Sequence, residues 1–305
     1  MTEWCFYHIV RWVLYRCLKA ITEITMTEMG FLGHLGQKPI ACLFAAGLFL
    51  IAIPVLGQTE FPFETARPLY VGARALAMGN AFTAVADDAT TGFWNPAGLI
   101  QWQGVKFFGL TKFHDRHYYR FDPKGVGYSW RGYSLYWGNK IALDVPSGVP
   151  DFNYYSLARQ LGAYFAVGLS LKFKRRHPSD YYQFFGYHTS YDIGLLFKPR
   201  PELKFGCLLQ NLDGRGIQWI TLGTAYRYES YQFSADIALS TEDAEPEFYF
   251  GAEWIPTSFF SMRVGSSNGA LTGGVGLRII DIYINYARIY EARFTSHFIS
   301  AELWF

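Results

Sequence analysis

From about Val105 to the last residue, Phe305, apolar residues alternate with small or polar ones in a series of short segments. In residues 164–174 one parity carries Phe165, Val167, Leu169, Leu171 and Phe173, and the other carries Ala166, Gly168, Ser170, Lys172 and Lys174. Side chains alternate across a strand, so this segment has one apolar and one polar face. Residues 219–228 repeat the pattern, with Ile220, Leu222, Thr224 and Tyr226 against Thr221, Gly223, Ala225 and Arg227. So do residues 231–240, with Phe233, Ala235, Ile237 and Leu239 against Gln232, Ser234, Asp236 and Ala238. In residues 247–254 and 271–279 the polar parity collects Gly251, Glu253, Gly274, Gly276 and Arg278. A soluble sandwich also alternates, but its wet face favours threonine and lysine. Glycine and mixed charge opposite Phe, Leu, Ile, Tyr and Trp is the alternation of a transmembrane β-barrel whose aromatic face meets lipid.

The alternation predicts about 14 strands, an even number as in single-chain bacterial barrels, at residues 104–113, 117–129, 132–139, 154–160, 164–176, 184–198, 203–211, 219–228, 231–240, 246–256, 259–267, 270–279, 281–289 and 296–305. The fold class expected is all-β, an antiparallel transmembrane barrel over residues 102–305. Longer connections at 140–152, 177–183, 213–218, 241–245 and 291–295 alternate with short ones at 130–131, 161–163, 200–202, 229–230 and 280–281. Long loops outside and short turns in the periplasm is the expected asymmetry, which puts the C-terminus in the periplasm. Asn268-Gly269, a tight hairpin signal on the outer side, breaks the rule. The last segment sets Ile299, Ala301, Leu303 and Phe305 against Phe298, Ser300, Glu302 and Trp304. A strand ending on an aromatic such as Phe305 is similar to the C-terminal signal read by outer-membrane assembly machinery, which is therefore an expected partner.

Of the 305 residues 17% are charged and 19% aromatic, with 22 Tyr and 9 Trp available for membrane girdles; charge in a soluble domain is nearer a quarter. A net charge of +2 without a basic stripe gives no support for a nucleic-acid partner, and none is expected; lipid bilayer and lipopolysaccharide are the expected surroundings. Residues 40–57, preceded by Lys38 and closing on Val55-Leu56-Gly57, form a long apolar run. It is shorter than the roughly 20 residues of a spanning helix and suits a secretory signal, so residues 1–57 are expected to be leader and the mature chain to begin near Gln58. Residues 1–25 exceed an ordinary leader, and the true start is expected at Met26 or Met29. Cys5, Cys17 and Cys42 precede the cut, which leaves Cys207 alone on an apolar parity as a small lipid-facing hydrophobe.

Residues 58–101 show no strand period. Within them stand Gly72-Ala73-Arg74, Met78-Gly79-Asn80-Ala81-Phe82, Ala84-Val85-Ala86-Asp87-Asp88-Ala89 and Trp94-Asn95-Pro96-Ala97-Gly98-Leu99. In order and spacing these elements resemble the N-terminal signature of the PorV group of the FadL-like outer-membrane superfamily, and Leu209-Gln210-Asn211-Leu212 is similar to a recurring segment of that family. The resemblance implies a barrel whose N-terminal segment folds inside as a hatch, built on Gly72, Arg74, Met78, Gly79, Asp87, Asp88, Trp94, Asn95, Pro96 and Gly98. It also implies passage or presentation of a hydrophobic ligand. The alternative it offers is an accessory role beside secretion-system or surface-attachment proteins, and a purely structural barrel is the third reading. Outer loops of about 13 residues at most (140–152) depart from the long binding loops of the fatty-acid transporters.

Physics agrees with the placement, because a barrel this wide holds either water or a plug. The inward parity carries Lys172, Lys174, Asp192, Lys204, Arg227, Asp236, Glu253, Arg278 and Glu302, charges of both signs that are expected to meet Arg74, Asp87 and Asp88. Small residues would let plug and wall approach closely, and Asn95-Pro96 would set a turn leading Gly98 into the first strand. No phosphate-loop, dinucleotide, zinc-finger or nucleophile-elbow motif is present, so no cofactor and no enzyme activity are expected. His114-Asp115-Arg116-His117 reads as a solvated or lipopolysaccharide-binding loop cluster, and no metal is expected. His188 and Ser190 share the inward parity of Asp192, with no obvious orienting group beside them.

Overall fold

In the computed structural model the chain divides into a unit Met1–Leu56 and a unit Gly57–Phe305. The structure describes residues 71–113, 120–143, 151–175, 188–213, 217–241, 245–290 and 295–305, all within the second unit. The expected leader, the candidate starts Met26 and Met29, residues 58–70 and the cluster at residues 114–117 lie outside the described residues.

Fourteen strands form the wall: β1 (Gly104–Phe113), β2 (Arg120–Trp130), β3 (Tyr133–Leu143), β4 (Asp151–Leu161), β5 (Phe165–Arg175), β6 (His188–Arg200), β7 (Leu203–Gln210), β8 (Trp219–Tyr228), β9 (Tyr231–Ser240), β10 (Glu247–Thr257), β11 (Phe260–Ser267), β12 (Ala270–Ile279), β13 (Ile282–Tyr290) and β14 (Thr295–Trp304). Each pairs antiparallel with the next, and β14 returns to β1 with Lys106 opposite Trp304 and Phe113 opposite His297, closing the barrel. Closure leaves no sheet edge, the condition for backbone to sit in hydrocarbon.

The two faces separate as the alternation requires. Leu135, Leu157, Phe233, Phe250, Leu271 and Leu277 point outward and are exposed, while Ser170, Lys172, Asp192, Asp236, Glu253 and Glu302 are buried inside. Tyr128, Trp130, Tyr133, Tyr226, Tyr228 and Phe259 gather at the end with the short turns. An apolar band wrapping the circumference, edged at the short-turn end by aromatic rings and enclosing polar groups, belongs to a protein whose solvent is lipid.

Two strands outrun their expected bounds by three residues or more. Because β3 continues to Leu143 and β4 starts at Asp151, residues 140–143 and 151–152 of the connection read at 140–152 belong to strands. The reason is a pair of polar residues on the outward parity of Leu135 and Leu157. Asn139 and Asn153 are partners across the ladder, with Asn139 Nδ2 donating to Asn153 Oδ1 at 2.5 Å, so the strand goes on where apolar alternation stops. The turn after β4 likewise falls at Gly162–Tyr164, one residue beyond its expected place. Asn268 and Gly269 make the predicted tight hairpin, with φ of 46° and 88°.

Inside the wall run two short helices, α1 (Ala73–Ala77) and α2 (Thr91–Trp94), and a 3-10 helix (Pro96–Gln101). Nearly every residue from Val71 to Leu99 is buried.

Candidate functional site

The luminal segment enters at Val71 and presses α1 against β11–β14. An Ala-rich turn suits this, since small side chains let a helix lie close to the strands. Ala73 N donates to Ser300 Oγ at 3.1 Å, and Thr272 Oγ1 donates to Ala77 O at 3.0 Å, so both ends of α1 are satisfied by the wall. The chain then reverses at Gly79 and Asn80, with φ of 62° and 64°. Backbone touches backbone here. A Cβ on Gly265 would stand 2.3 Å from Gly79 N, and one on Gly79 would stand 2.4 Å from Phe250 O. The inward glycines recur as cross-strand neighbours around the wall: Gly168 with Gly194, Gly206 with Gly223, Gly251 with Gly265. Each pair faces a stretch of the luminal segment that a side chain would displace.

Charge is concentrated at Arg74. Its Nε and Nη2 donate to Glu253 Oε1 and Oε2 at 3.0 and 2.8 Å, its Nη1 donates to Asp87 Oδ1 at 2.6 Å, and Asp88 Oδ2 lies 3.6 Å away. Arg263 approaches Glu253 from the other side, with Nε donating to Oε1 at 2.6 Å while its remaining nitrogens donate to Asn285 and Ser261. Lys204 Nζ sits 3.4 Å from Asp87 Oδ2, and Lys106 Nζ donates to Asp87 O at 2.9 Å. Burial alone would lift the Asp87 carboxyl, but Arg74 and Lys204 hold it well below the usual carboxylate range. Burial would likewise weaken the Arg74 guanidinium, and Asp87 with Glu253 instead keeps it charged above its ordinary value. Arg74, Arg263, Asp87 and Glu253 stay charged in the interior because each is paired and hydrogen-bonded.

Further anchors are neutral donors on charged acceptors. Phe82 N and Thr83 N both donate to Asp236 Oδ2, at 3.0 and 2.9 Å, and Ala89 N donates to Glu302 Oε2 at 2.9 Å. Asn95 ties the segment to itself and to the wall: its Nδ2 donates to Thr83 O at 2.8 Å and to Leu195 O at 3.2 Å, while its Oδ1 accepts from Ala97 N at 3.1 Å and starts the 3-10 helix. Pro96 follows at the first helical position, where its missing N–H costs nothing. Between these anchors lies an aromatic cluster, with Phe93 edge-on to Tyr154 at 4.8 Å and to Tyr136 at 5.7 Å, and Phe82 edge-on to Trp94 at 5.7 Å.

No family model matches the chain, and no curated protein matches it. Among solved structures it is similar to the toluene transporter TodX of Pseudomonas putida, at 13% identity over 80% of this chain and 98% of that one, with a TM-score of 0.49. It is also similar to the outer membrane protein Omp33 of Acinetobacter baumannii, at 8% identity over 67% of this chain and 98% of that one, with a TM-score of 0.48. The barrel topology stands on the strand pairing itself.

Of the expected luminal positions, Gly72, Arg74, Met78, Gly79, Asp87, Asp88, Trp94, Asn95, Pro96 and Gly98 all lie inside the barrel. Glu253, Asp236, Glu302 and Lys204 touch the luminal segment directly. Lys172 and Asp192 bind one another at 2.7 Å and close around Asn211, whose side chain accepts from Lys172 and whose N–H donates to Asp192. Asn211 has φ of 59°, so the Leu209–Leu212 element marks a left-handed turn locked by an ion pair. Arg227 and Arg278 share the inward parity but sit exposed at the rim, Arg227 bonded to Gln232 and Arg278 lying over the Tyr283 ring at 5.0 Å. They do not reach the luminal segment, because their strands end there. Ser190 has an acidic neighbour that the alternation did not reveal, donating to Asp213 Oδ1 at 2.8 Å, and only the backbone of Lys174 and His188 is described.

Several contributors were absent from the sequence reading. Arg263 shares the inward parity of Ser261 and Gly265, and Lys106 that of Phe108, so the same alternation marks both. Thr272, Asn285 and Ser300 carry no such signal, since an inward polar residue is common in any barrel of this kind. All neighbouring strands of the wall are paired, and register shifts occur only near the short turns, between Phe197 and Arg200 and between Trp254 and Thr257.

Proposed function

We propose that this chain is an outer-membrane β-barrel in which residues 71–103 serve as a hatch governing passage of small hydrophobic molecules. The observation carrying this reading is that the lumen is occluded by one continuous segment held at discrete polar anchors, Arg74 foremost. A filled lumen argues against an open aqueous pore. Anchors made of ion pairs and amide-to-carboxylate bonds can open one at a time and be re-formed, whereas an apolar plug fused to the wall could not. The resemblance of residues 70–99 to the PorV-type signature and the lipid-facing exterior support the same placement.

The close glycine contacts favour a second reading, a permanently closed barrel that acts as an accessory for secreted proteins. A locked hatch separates the two. Asn80 Nδ2 donates to Ser267 Oγ at 2.9 Å, so N80C with S267C, in a background lacking Cys207, places two thiols within reach of a short cross-linker. Uptake of a labelled hydrophobic compound into vesicles is expected to fall to background on cross-linking and to recover on reduction. Undiminished uptake by the locked barrel would exclude passage past residues 71–103, and no uptake by either form would favour the accessory reading.

A further inference from the structure

At the short-turn end, a cavity of ≈ 320 Å³ opens between the luminal 3-10 helix and the turns joining β4 to β5 and β6 to β7. Its floor is apolar. Ala166 and Leu196 are buried wall residues, and Ile100 of the 3-10 helix packs on them. Its mouth is polar and positive, formed by Gln160, Lys198 and Arg200. Lys198 and Arg200 are exposed, and neither makes an ion pair among the described residues. Four cations deeper in the lumen are already engaged: Arg74 and Arg263 by Glu253, Lys172 by Asp192, Lys204 by Asp87.

The position of the mouth also matters. Lys198 N donates to Tyr164 O at 2.8 Å, which fastens the β4–β5 turn to β6, and Tyr164 is exposed at the aromatic edge of the barrel. Phe165, which borders the cavity, stacks on outward-facing Phe197 at 4.5 Å. The opening therefore lies where the lumen meets the lipid boundary. An apolar floor under an unneutralised cationic rim matches one chemistry, and the volume is at the lower end of the roughly 300–1,000 Å³ typical of small-molecule sites.

We propose that this cavity binds an anionic amphiphile, its carboxylate or phosphate held by Lys198 and Arg200 beside Gln160 and its hydrocarbon chain lying on Ile100, Ala166 and Leu196. Arginine suits such a head group because its planar fork meets two oxygens at once. The site requires no movement of the luminal segment, so it stands or falls separately from transport. The ligand could be a free fatty acid or a phospholipid of the adjoining leaflet, since both present an anion on a chain.

The test is retention by the purified full-length barrel in nonionic detergent, read by native mass spectrometry with dodecanoate, dodecanol, dilauroyl phosphatidylglycerol and dilauroyl phosphatidylcholine. Dodecanoate is expected to bind at least about tenfold more tightly than dodecanol, the scale of one charge-assisted hydrogen bond. K198Q/R200Q is expected to lose a similar factor while keeping the heat-dependent gel mobility of a folded barrel. A163W, which fills the mouth with both cations intact, is expected to lose binding as well and covers the case in which the double variant fails to fold. Phosphatidylglycerol held and lost in parallel would identify the bilayer as the source, and its exclusion would point to free fatty acid. Equal retention of dodecanol, or dodecanoate binding untouched by the folded variants, would overturn the proposal.

Discussion

Asp236 shows how much one side chain can hold. A single carboxylate oxygen receives two consecutive backbone amides of the luminal segment, from Phe82 and Thr83, and both donors are buried. Asp236→Ala leaves them without this acceptor and is expected to lower the unfolding free energy by about 3 kcal/mol, whereas Asp236→Asn keeps an acceptor and loses about half as much. Guanidinium unfolding from lipid vesicles measures both. Ile280 is a case of the opposite sign. It has φ of 57° in the turn between β12 and β13, a conformation a β-branched residue resists, and its side chain is 80% exposed. Replacing it with asparagine is expected to stabilise the barrel by about 1 kcal/mol in the same measurement.

The luminal segment, taken as an element, has little regular structure to hold it. Its two helices are a turn each, too short to be stable alone, so its shape is imposed by the wall. The ion cluster makes that dependence sensitive to pH in one direction. Asp87 titrates lower in the folded barrel than in the unfolded chain, so its contribution is present above the ordinary aspartate value of about 3.9 and is lost as pH falls through the lower, folded value. The stability difference between the native chain and Asp87→Asn is therefore expected to stay level from pH 8 down to about 4 and to shrink in stronger acid. Protease protection of residues 71–103, followed across that range, reports it. A difference that disappears between pH 8 and 6 would contradict the role given to Arg74 and Lys204.

For the whole molecule, the seam between β1 and β14 is where closure is completed. Val105 and Phe305 exchange both backbone hydrogen bonds at 2.8 Å, and the exposed Phe305 ring lies edge-on to Phe107 at 6.1 Å. The backbone bonds survive Phe305→Ala, so the variant is expected to refold in detergent much as the native chain does. If Phe305 serves as an assembly signal, the same variant accumulates more slowly in the membrane of living cells. Equal membrane levels of the two proteins would remove that role. The lipid-facing band belongs to this scale too, because no single strand carries it and only its continuity around the circumference requires hydrocarbon.

Much of this architecture is written locally. A period of two residues fixes which side chains share a face, and glycine, asparagine and proline fix where strands must turn, so strand count, direction and the inward set containing Asp236, Glu253 and Glu302 follow from the sequence. The limit appears where polar residues take the place of apolar ones on the outward parity. Around Asn139 and Asn153 no contrast remains between the faces, and the true length of β3 and β4 could only come from their pairing. Which inward charge meets which was likewise undetermined, because Arg74 and Glu253 are far apart along the chain and are brought together by closure of the wall. Arg227 and Arg278 carry the same parity signal as Glu253 yet end at the rim, since parity gives direction and says nothing of depth. Periodicity is a property of neighbours along the chain, while depth, partners and the cavity beside Lys198 are properties of the closed barrel.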